Sequence, residues 1–550
     1  MTLVRHASRK TSHESQVTGF THLHNHFWGS YSDSVLSVDE GLDRAAALGL
    51  TAMAITDHGE LALHPNFLEA CLKRNMRPIL GCECNFVENA ARTIESGDTH
   101  RNHLILLARD DAGHRNLVSL ISESWTNNCF QGQRGLVDWA LLEKYHEGLV
   151  CLNGCYYGSF PLKIIREGMK AGERELRRYL DIFGEDFHPE MMSIGYELQK
   201  ISNAGILELV PRYGLKPVIT NDVHYPYPED WIAHDIIIKS RYGSISDFSV
   251  ETKSIWLKSE QEMLSLGFDS AYIRNTMEVA EKCRVRLHGG IESPPVMLGS
   301  AEEDINHLSG LCLRAIEGKV PPADRASWTR LFRSEERLIR EAGLAGYLLA
   351  AAELASYFHR SKKKVALVEG RAGRSAAACL LGLSDPPPDL NAEPGLHNFT
   401  NLAIKCPNPG SAIRHLMDRF GPDRVCRVAE MVPIRGGDAL LYTAEVLGIP
   451  AKEREEGLEE VIKAASVEEN ISRSAALAGL CQAMPELLKW ARRIEGIPRI
   501  SRPSQSTAAV TGGPIARLLP LKRLGKDIFA QYDAEGARLA GFITLELREY

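Results

Sequence analysis

The chain has no Cys-x-x-Cys pair among its 12 cysteines, so it encodes neither a zinc ribbon nor a dithiol redox motif of that spacing. Nor do the cysteines form a closely spaced even set of the kind that staples a small secreted fold. A reducing, cytoplasmic setting is therefore expected. The opening residues, MTLVRHASRKTSHESQ, hold no apolar core segment, so no secretory signal is expected there. Long hydrophobic runs are also missing. The longest, 344–358, carries Glu353 and is too short and too polar to cross a bilayer, which excludes a membrane partner. Positive charge is not in excess: the formal net charge is −7 and the isoelectric point is about 6.3. A protein that coats nucleic acid non-specifically is usually basic, so any contact with DNA has to use local basic patches, and the composition neither demands nor excludes DNA. There is no internal repeat and no low-complexity tract.

What is present is an ordinary globular composition, 44% hydrophobic and 25% charged, in a length of 550 residues that implies more than one domain. Residues 1–19 read as a flexible N-terminus. From 20 onward, short apolar runs alternate with helical periodicity. The runs are FTHLHNH (20–26), TAMAITDH (51–58), RPILGCECNFV (77–87), HLILLARD (103–110), GLVCLNGC (148–155), MMSIGYEL (191–198) and KPVITNDVHY (216–225). Between them, segments such as 38–48 and 66–75 have helical spacing. Seven alternations predict an α/β fold with a parallel β/α barrel, whose site lies at the C-terminal ends of the strands. Residues 226–290 read as helical around one extended piece (252–259), and complete a domain spanning 20–290. The Pro-containing stretch 291–328 reads as a linker. A second region, 329–550, starts with helical patterns, passes through a Pro/Asn/Gly-rich segment (386–410) and a helix (411–420), and has a further loop at 501–514.

Residues able to bind metal collect at the ends of the strand-like runs. His24 and His26 alternate on one face of an extended segment, because side chains on a strand repeat with period two. His58 ends the second run, Glu83 lies in the third, Cys155 ends the fifth, and Asp222 and His224 end the seventh. Asp33 follows the first run and His103 opens the fourth. Singly these signals are weak: a lone His-x-His is common, TDHG is often a strand-end turn, and an isolated Cys155 reads as a core thiol. Their recurrence at successive strand ends carries the inference. A mixture of imidazole, carboxylate and thiolate suits Zn, Mn or Fe better than Mg or Ca. His22, Asp57, His64, His100 and His114 read as structural, with Asp57 a candidate to orient His58.

The motifs HLHNH, TDHGEL, RPILGCE, HLILLARDDAGHRNL, GLVCLNGC and TNDVHY resemble those of the PHP (polymerase and histidinol phosphatase) domain. They are closest to the version in bacterial DNA polymerase III alpha subunits. The resemblance implies a distorted seven-stranded β/α barrel, the nine residues above as ligands of three divalent metal ions, and metal-dependent phosphoester hydrolysis. In polymerases with the full set it implies a 3′-to-5′ exonuclease acting on single-stranded or frayed 3′ ends. His24, His26, His58, Asp222 and His224 would carry the catalysis.

The resemblance extends more thinly to 329–550, which would be a smaller α+β, palm-like polymerase remnant. ERLIREAGLAGYLLAAAELASYF (336–358), GRSAAACLLGLSD (373–385), IRHLMDRFGPDRVCRV (413–428), WARRIEGIPR (490–499) and QYDAEGARLAGF (531–542) carry it. Nucleotidyl transfer needs clustered carboxylates to hold two metal ions. The family's first two aspartates fall on or near Asn401 and Ala403, and the third near Glu546, so polymerase activity is expected to be lost. Lys362, Lys363, Lys364, Arg371 and Arg374 form a basic stretch that would hold DNA phosphates, or equally a solvated helix end. Three other functions stay open at this point. They are a small-molecule phosphatase, a non-catalytic accessory of a replicative or translesion polymerase, and a polymerase using unrecognised carboxylates.

Overall fold

The computed structural model describes residues 19–241, 250–286, 293–360, 362, 366–367, 375–384, 390 and 402–550. The first region contains β1 (Ala52–Ile55), β2 (Arg77–Phe86), β3 (Asn102–Ala108), β4 (Cys129–Phe130), β5 (Arg134–Val137), β6 (Leu149–Leu152), β7 (Phe187–His188), β8 (Glu190–Met191) and β9 (Val218–Ile219). Seven of these make one sheet, in the order β4-β5-β2-β3-β6-β7 with β1 joined to β2; β8 and β9 pair separately. The ten-residue β2 is the spine: its first half pairs with β1 in parallel and its second half with β3 antiparallel.

The expected closed, parallel, seven-stranded barrel is therefore corrected to an open mixed sheet with a separate two-stranded ladder. The break lies in 20–26, which forms only the isolated bridge Asn25–Val223. Side chains there take bonds that a ladder would use: Asn25 N–H donates to Thr56 Oγ1, and Asn25 Nδ2 donates to the His22 and Ala54 carbonyls. The run 191–198 contributes only Met191 to a strand, and Glu197 already starts helix Glu197–Tyr213. The expected helices at 38–48 and 66–75 are Val38–Ala47, capped by Ser37, and His64–Lys73. Helix Asp111–Thr126 crosses the sheet where Gly113 meets Gly148; a Cβ on Gly113 would lie 1.9 Å from the Gly148 carbonyl oxygen.

The second region contains β10 (Ala366–Leu367), β11 (Ala403–Cys406), β12 (Val425–Pro433), β13 (Pro498–Val510), β14 (Leu521–Leu524), β15 (Asp527–Ala530) and β16 (Ile543–Glu549). Five of them form a sheet in the order β10-β11-β16-β13-β12. Two sequence expectations change here. The stretch 291–328 is not bare linker: it holds helix Ala301–Lys319, which buries Ile305, Leu308, Cys312 and Ile316 at helical spacing. Its prolines mark the ends of that helix. The expected loop 501–514 is mostly β13. Pro503 sits at a register shift opposite Ala429, where β16 has not yet joined, so its missing N–H costs no ladder bond on that edge.

The largest apolar cluster among the described residues lies in the first region and the next largest in the second, but another belongs to both. In it, Val35, Tyr225, Ile236 and Ile237 pack with Leu440, Leu487, Trp490 and Ile494. Lys363, Lys364, Arg371, Arg374 and Asn401 lie outside the described residues. Lys362 is exposed, with φ of 56°. No helix among the described residues is long and apolar enough to cross a membrane.

Candidate metal centre

All nine predicted residues meet in one contiguous cluster. Glu83, buried on β2, is its hub. Its Oε2 lies 2.6 Å from His24 Nε2 and 3.4 Å from His26 Nε2. Its Oε1 lies 3.0 Å from His58 Nδ1 and 2.8 Å from His103 Nδ1. Asp222 Oδ1 is 3.3 Å from His24 Nε2 and 3.2 Å from His26 Nε2. Asp33 Oδ2 is 3.2 Å from His58 Nε2, and Cys155 Sγ is 3.6 Å from His103 Nδ1. The His224 ring lies 4.4 Å from that of His26. His103, His58, Asp222 and Asp33 are the most open of these, at 34, 29, 21 and 19% side-chain exposure, so they mark the mouth of the cluster.

The surrounding residues fix which nitrogen each imidazole presents. His24 Nδ1 lies 2.8 Å from Glu190 Oε1, which leaves its Nε2 lone pair for the centre. Thr220 Oγ1 donates to the same carboxylate, and Glu190 N–H donates to Asn153. His26 Nδ1 is 3.0 Å from Ser30 Oγ, and His224 Nδ1 donates to the Asp222 carbonyl. Asp57 does not bond to His58. Its Oδ1 accepts from Phe27 N–H, Ser30 N–H and Ser30 Oγ, so it shapes the turn that orients His26. Gly29 is required by that turn, since a Cβ there would sit 2.3 Å from Asp57 Oδ2.

Electrostatics keep the acids ionised. Burial alone would raise the pKa of Glu83, but His103 and His58 outweigh it and hold the carboxylate well below the usual range. For Asp33, burial is likewise outweighed, by Arg241 and His58. His58 is pushed up to about 10 because Glu83 and Asp33 overcome its burial. His224 is pushed down to about 3, first by burial and then by His26. The main chain is also committed: Asp222 has φ of 51°, a left-handed conformation uncommon outside glycine, asparagine and aspartate.

The donor set fits divalent cations. Asp222 Oδ1 is buried without a well-directed hydrogen bond despite two imidazole nitrogens beside it. Among the described residues three groups of converging donors arise: His24, His26, Glu83 and Asp222; His26, His58 and His224; and Asp33, His224 and His234. His234 was not singled out in the sequence. It lies in helix Trp231–Lys239, where one histidine on a helix gives no spacing to find it by. Glu190 and Arg241 were missed as well; Arg241 lies 2.8 Å from Asp33 Oδ2.

Residues 22–193 match the PHP domain. Over 96% of its length the chain is 25% identical to the DNA polymerase III subunit alpha of Aquifex aeolicus, covering 50% of that protein. It is 26% identical to the Borreliella burgdorferi subunit, over 96% of this chain and 48% of that one. Against the Treponema pallidum subunit the identity is 29%, over 79% of this chain and 38% of that one. Within 22–193 the chain thus matches the PHP domain, as a whole it resembles DNA polymerase III alpha, and it spans about half the length of these relatives. An amidohydrolase structure from Chromobacterium violaceum aligns at 14% identity over 45% of this chain and 96% of that one, with a TM-score of 0.23, too distant a likeness to speak for fold or chemistry.

Proposed function

We propose that the chain is a metal-dependent phosphodiesterase that shortens DNA from single-stranded or frayed 3′ ends at the PHP centre. The observation that carries this reading is the convergence of His24, His26, Asp33, His58, Glu83, His103, Cys155, Asp222 and His224 around one shared carboxylate. They would hold three divalent ions, of Zn, Mn or Fe type by donor chemistry. Bound ions supply the Lewis acidity that makes water a nucleophile toward phosphorus near neutral pH. The chain's own part is orientation. Glu190 and Ser30 set His24 and His26 to present Nε2, and Glu83 joins the imidazoles into one constellation. Arg241 lies beside Asp33 at the mouth, where a phosphate would approach.

The second region, on this reading, no longer polymerises. Ala403 on β11 stands in register with Glu546 on β16, so an alanine occupies the position where a second carboxylate would be needed. Glu546 itself is paired with Arg548. At the segment resembling a nucleotide-phosphate motif, Glu335 already accepts from Ser375 Oγ, Ala376 N–H and Ala377 N–H. A phosphate would meet a carboxylate there. The palm-like remnant is left to bind DNA or to dock on a replicative or translesion polymerase.

The test is the full chain loaded with Mn or Zn and given 5′-labelled DNA, histidinol phosphate, and a primed template with nucleotides. The expected outcome is stepwise shortening of DNA that disappears in His24→Ala and Asp222→Ala, with no primer extension. Metal-loaded protein that leaves DNA intact would sink the nuclease reading in favour of an accessory role. Hydrolysis confined to histidinol phosphate would favour a small-molecule phosphatase.

A further inference from the structure

A cavity of about 90 Å³ lies between the two regions, away from the nine metal-site residues. Arg115 and Arg286 of the first region and Arg517 of the second line it, all three exposed. None of the three guanidiniums makes a hydrogen bond or ion pair among the described residues. One acid, Asp111, also lines it, and its Oδ1 already accepts from the Arg286 backbone N–H at 2.9 Å. The floor is apolar, built from Leu68, Leu80, Val118 and Phe542, with Tyr532 beside them.

Two histidines complete the wall. His64 Nε2 donates to the Gly81 carbonyl at 2.9 Å, so its Nδ1 is the acceptor for His114 Nε2–H at 3.1 Å. Burial pushes His64 down to about 3 and His114 to about 4. Both rings are therefore neutral near pH 7, and the charge of the cavity comes from the arginines. Three guanidiniums against one occupied carboxylate make a site for a doubly charged oxyanion, since the guanidinium fork matches phosphate geometry. The apolar floor beside them suits a flat ring.

We propose that this cavity binds a nucleoside monophosphate, with its phosphate on Arg115, Arg286 and Arg517 and its base against the apolar floor. Because both regions contribute side chains, the ligand would tie them together. His64 bonds to Gly81 on the strand that carries Glu83, so the bound nucleotide would sit one hydrogen bond from the metal-bearing strand. The proposal does not rest on the hydrolytic reading, because it uses none of the nine metal-site residues.

The experiment is titration calorimetry of the full chain with deoxyadenosine monophosphate, deoxyadenosine and inorganic phosphate, alongside thermal melts. The monophosphate is expected to bind best and to raise the melting temperature, as any ligand of the folded state does. Arg115→Ala, Arg286→Ala and Arg517→Ala should each weaken it about tenfold or more, the usual consequence of losing a charged hydrogen bond. His24→Ala should bind it as the parent does, which separates this site from the metal centre. Absence of binding, unchanged affinity in folded arginine variants, or equal affinity for phosphate or deoxyadenosine alone would each overturn the proposal.

Discussion

At the scale of single residues, the side chains that cluster were legible in the sequence and the groups that support them were not. Histidine, aspartate and cysteine are weak signals singly, and it is their recurrence at successive strand ends that marks them. Glu190 and His234 carried no such signal, because their partners, His24 and Asp33, are far away in sequence. Asp222 shows what one position demands. Its left-handed backbone tolerates Asp, Asn or Gly, whereas a β-branched side chain costs about 1–2 kcal/mol there. Asp222→Asn is expected to keep the stability of the metal-free chain while losing metal. Asp222→Val should lose both, as read by denaturant unfolding in chelator and by metal analysis. His64 and His114 give a pH prediction. Their folded pKa values, about 3 and about 4, lie below the ordinary 6.5. The unfolded chain thus binds more protons in acid, so their contribution is complete above about pH 6.5 and is lost as pH falls through that window. Replacing His114 by Asn should flatten the fall in melting temperature between pH 6.5 and 4.

At the scale of elements, periodicity gave β1, β2, β3 and β6 and the helices Val38–Ala47 and His64–Lys73 with small errors at their ends. It failed where side chains compete with the backbone. The segment 20–26 alternates like a strand, yet Asn25 and Thr56 divert its hydrogen bonds. β13 hid behind serines and prolines because its neighbours, not its own propensity, make it a strand. The short β4–β5 hairpin gave no sequence signal strong enough to be noticed. The turn at 27–30 carries the prediction at this scale. Gly29→Ala would drive a methyl into Asp57 and push the carboxylate off Ser30. A loss of about 1–3 kcal/mol is expected from such overpacking, together with reduced metal content as His26 loses its orientation. Urea unfolding and elemental analysis of the same sample would check both.

At the scale of the whole molecule, the two regions were separable in sequence but are not independent in space. Lys522 on β14 donates to Glu60, just after the strand end that carries His58, and to Ser501 Oγ at 3.2 Å. Its ammonium also lies over the rings of Tyr31 and Trp125. Burial pushes Glu60 up to about 6 even with Lys522 beside it. Lys522→Met should therefore cost about 3–5 kcal/mol by leaving a buried carboxylate without its partner, and Lys522→Met with Glu60→Leu should recover most of it. Chemical denaturation of the four proteins in that cycle is the measurement; additive losses would show the pair to be uncoupled. Ser32, next to Asp33, donates its N–H to the Pro498 carbonyl and its hydroxyl to the Arg499 carbonyl. Two of this loop's hydrogen bonds are thus made to residues more than 460 positions further along the chain. On a ribosome adding roughly 5–20 residues per second, that is a wait of about half a minute or more. Until then the loop that carries Asp33 is held by first-region contacts alone, Arg241 and His58 among them.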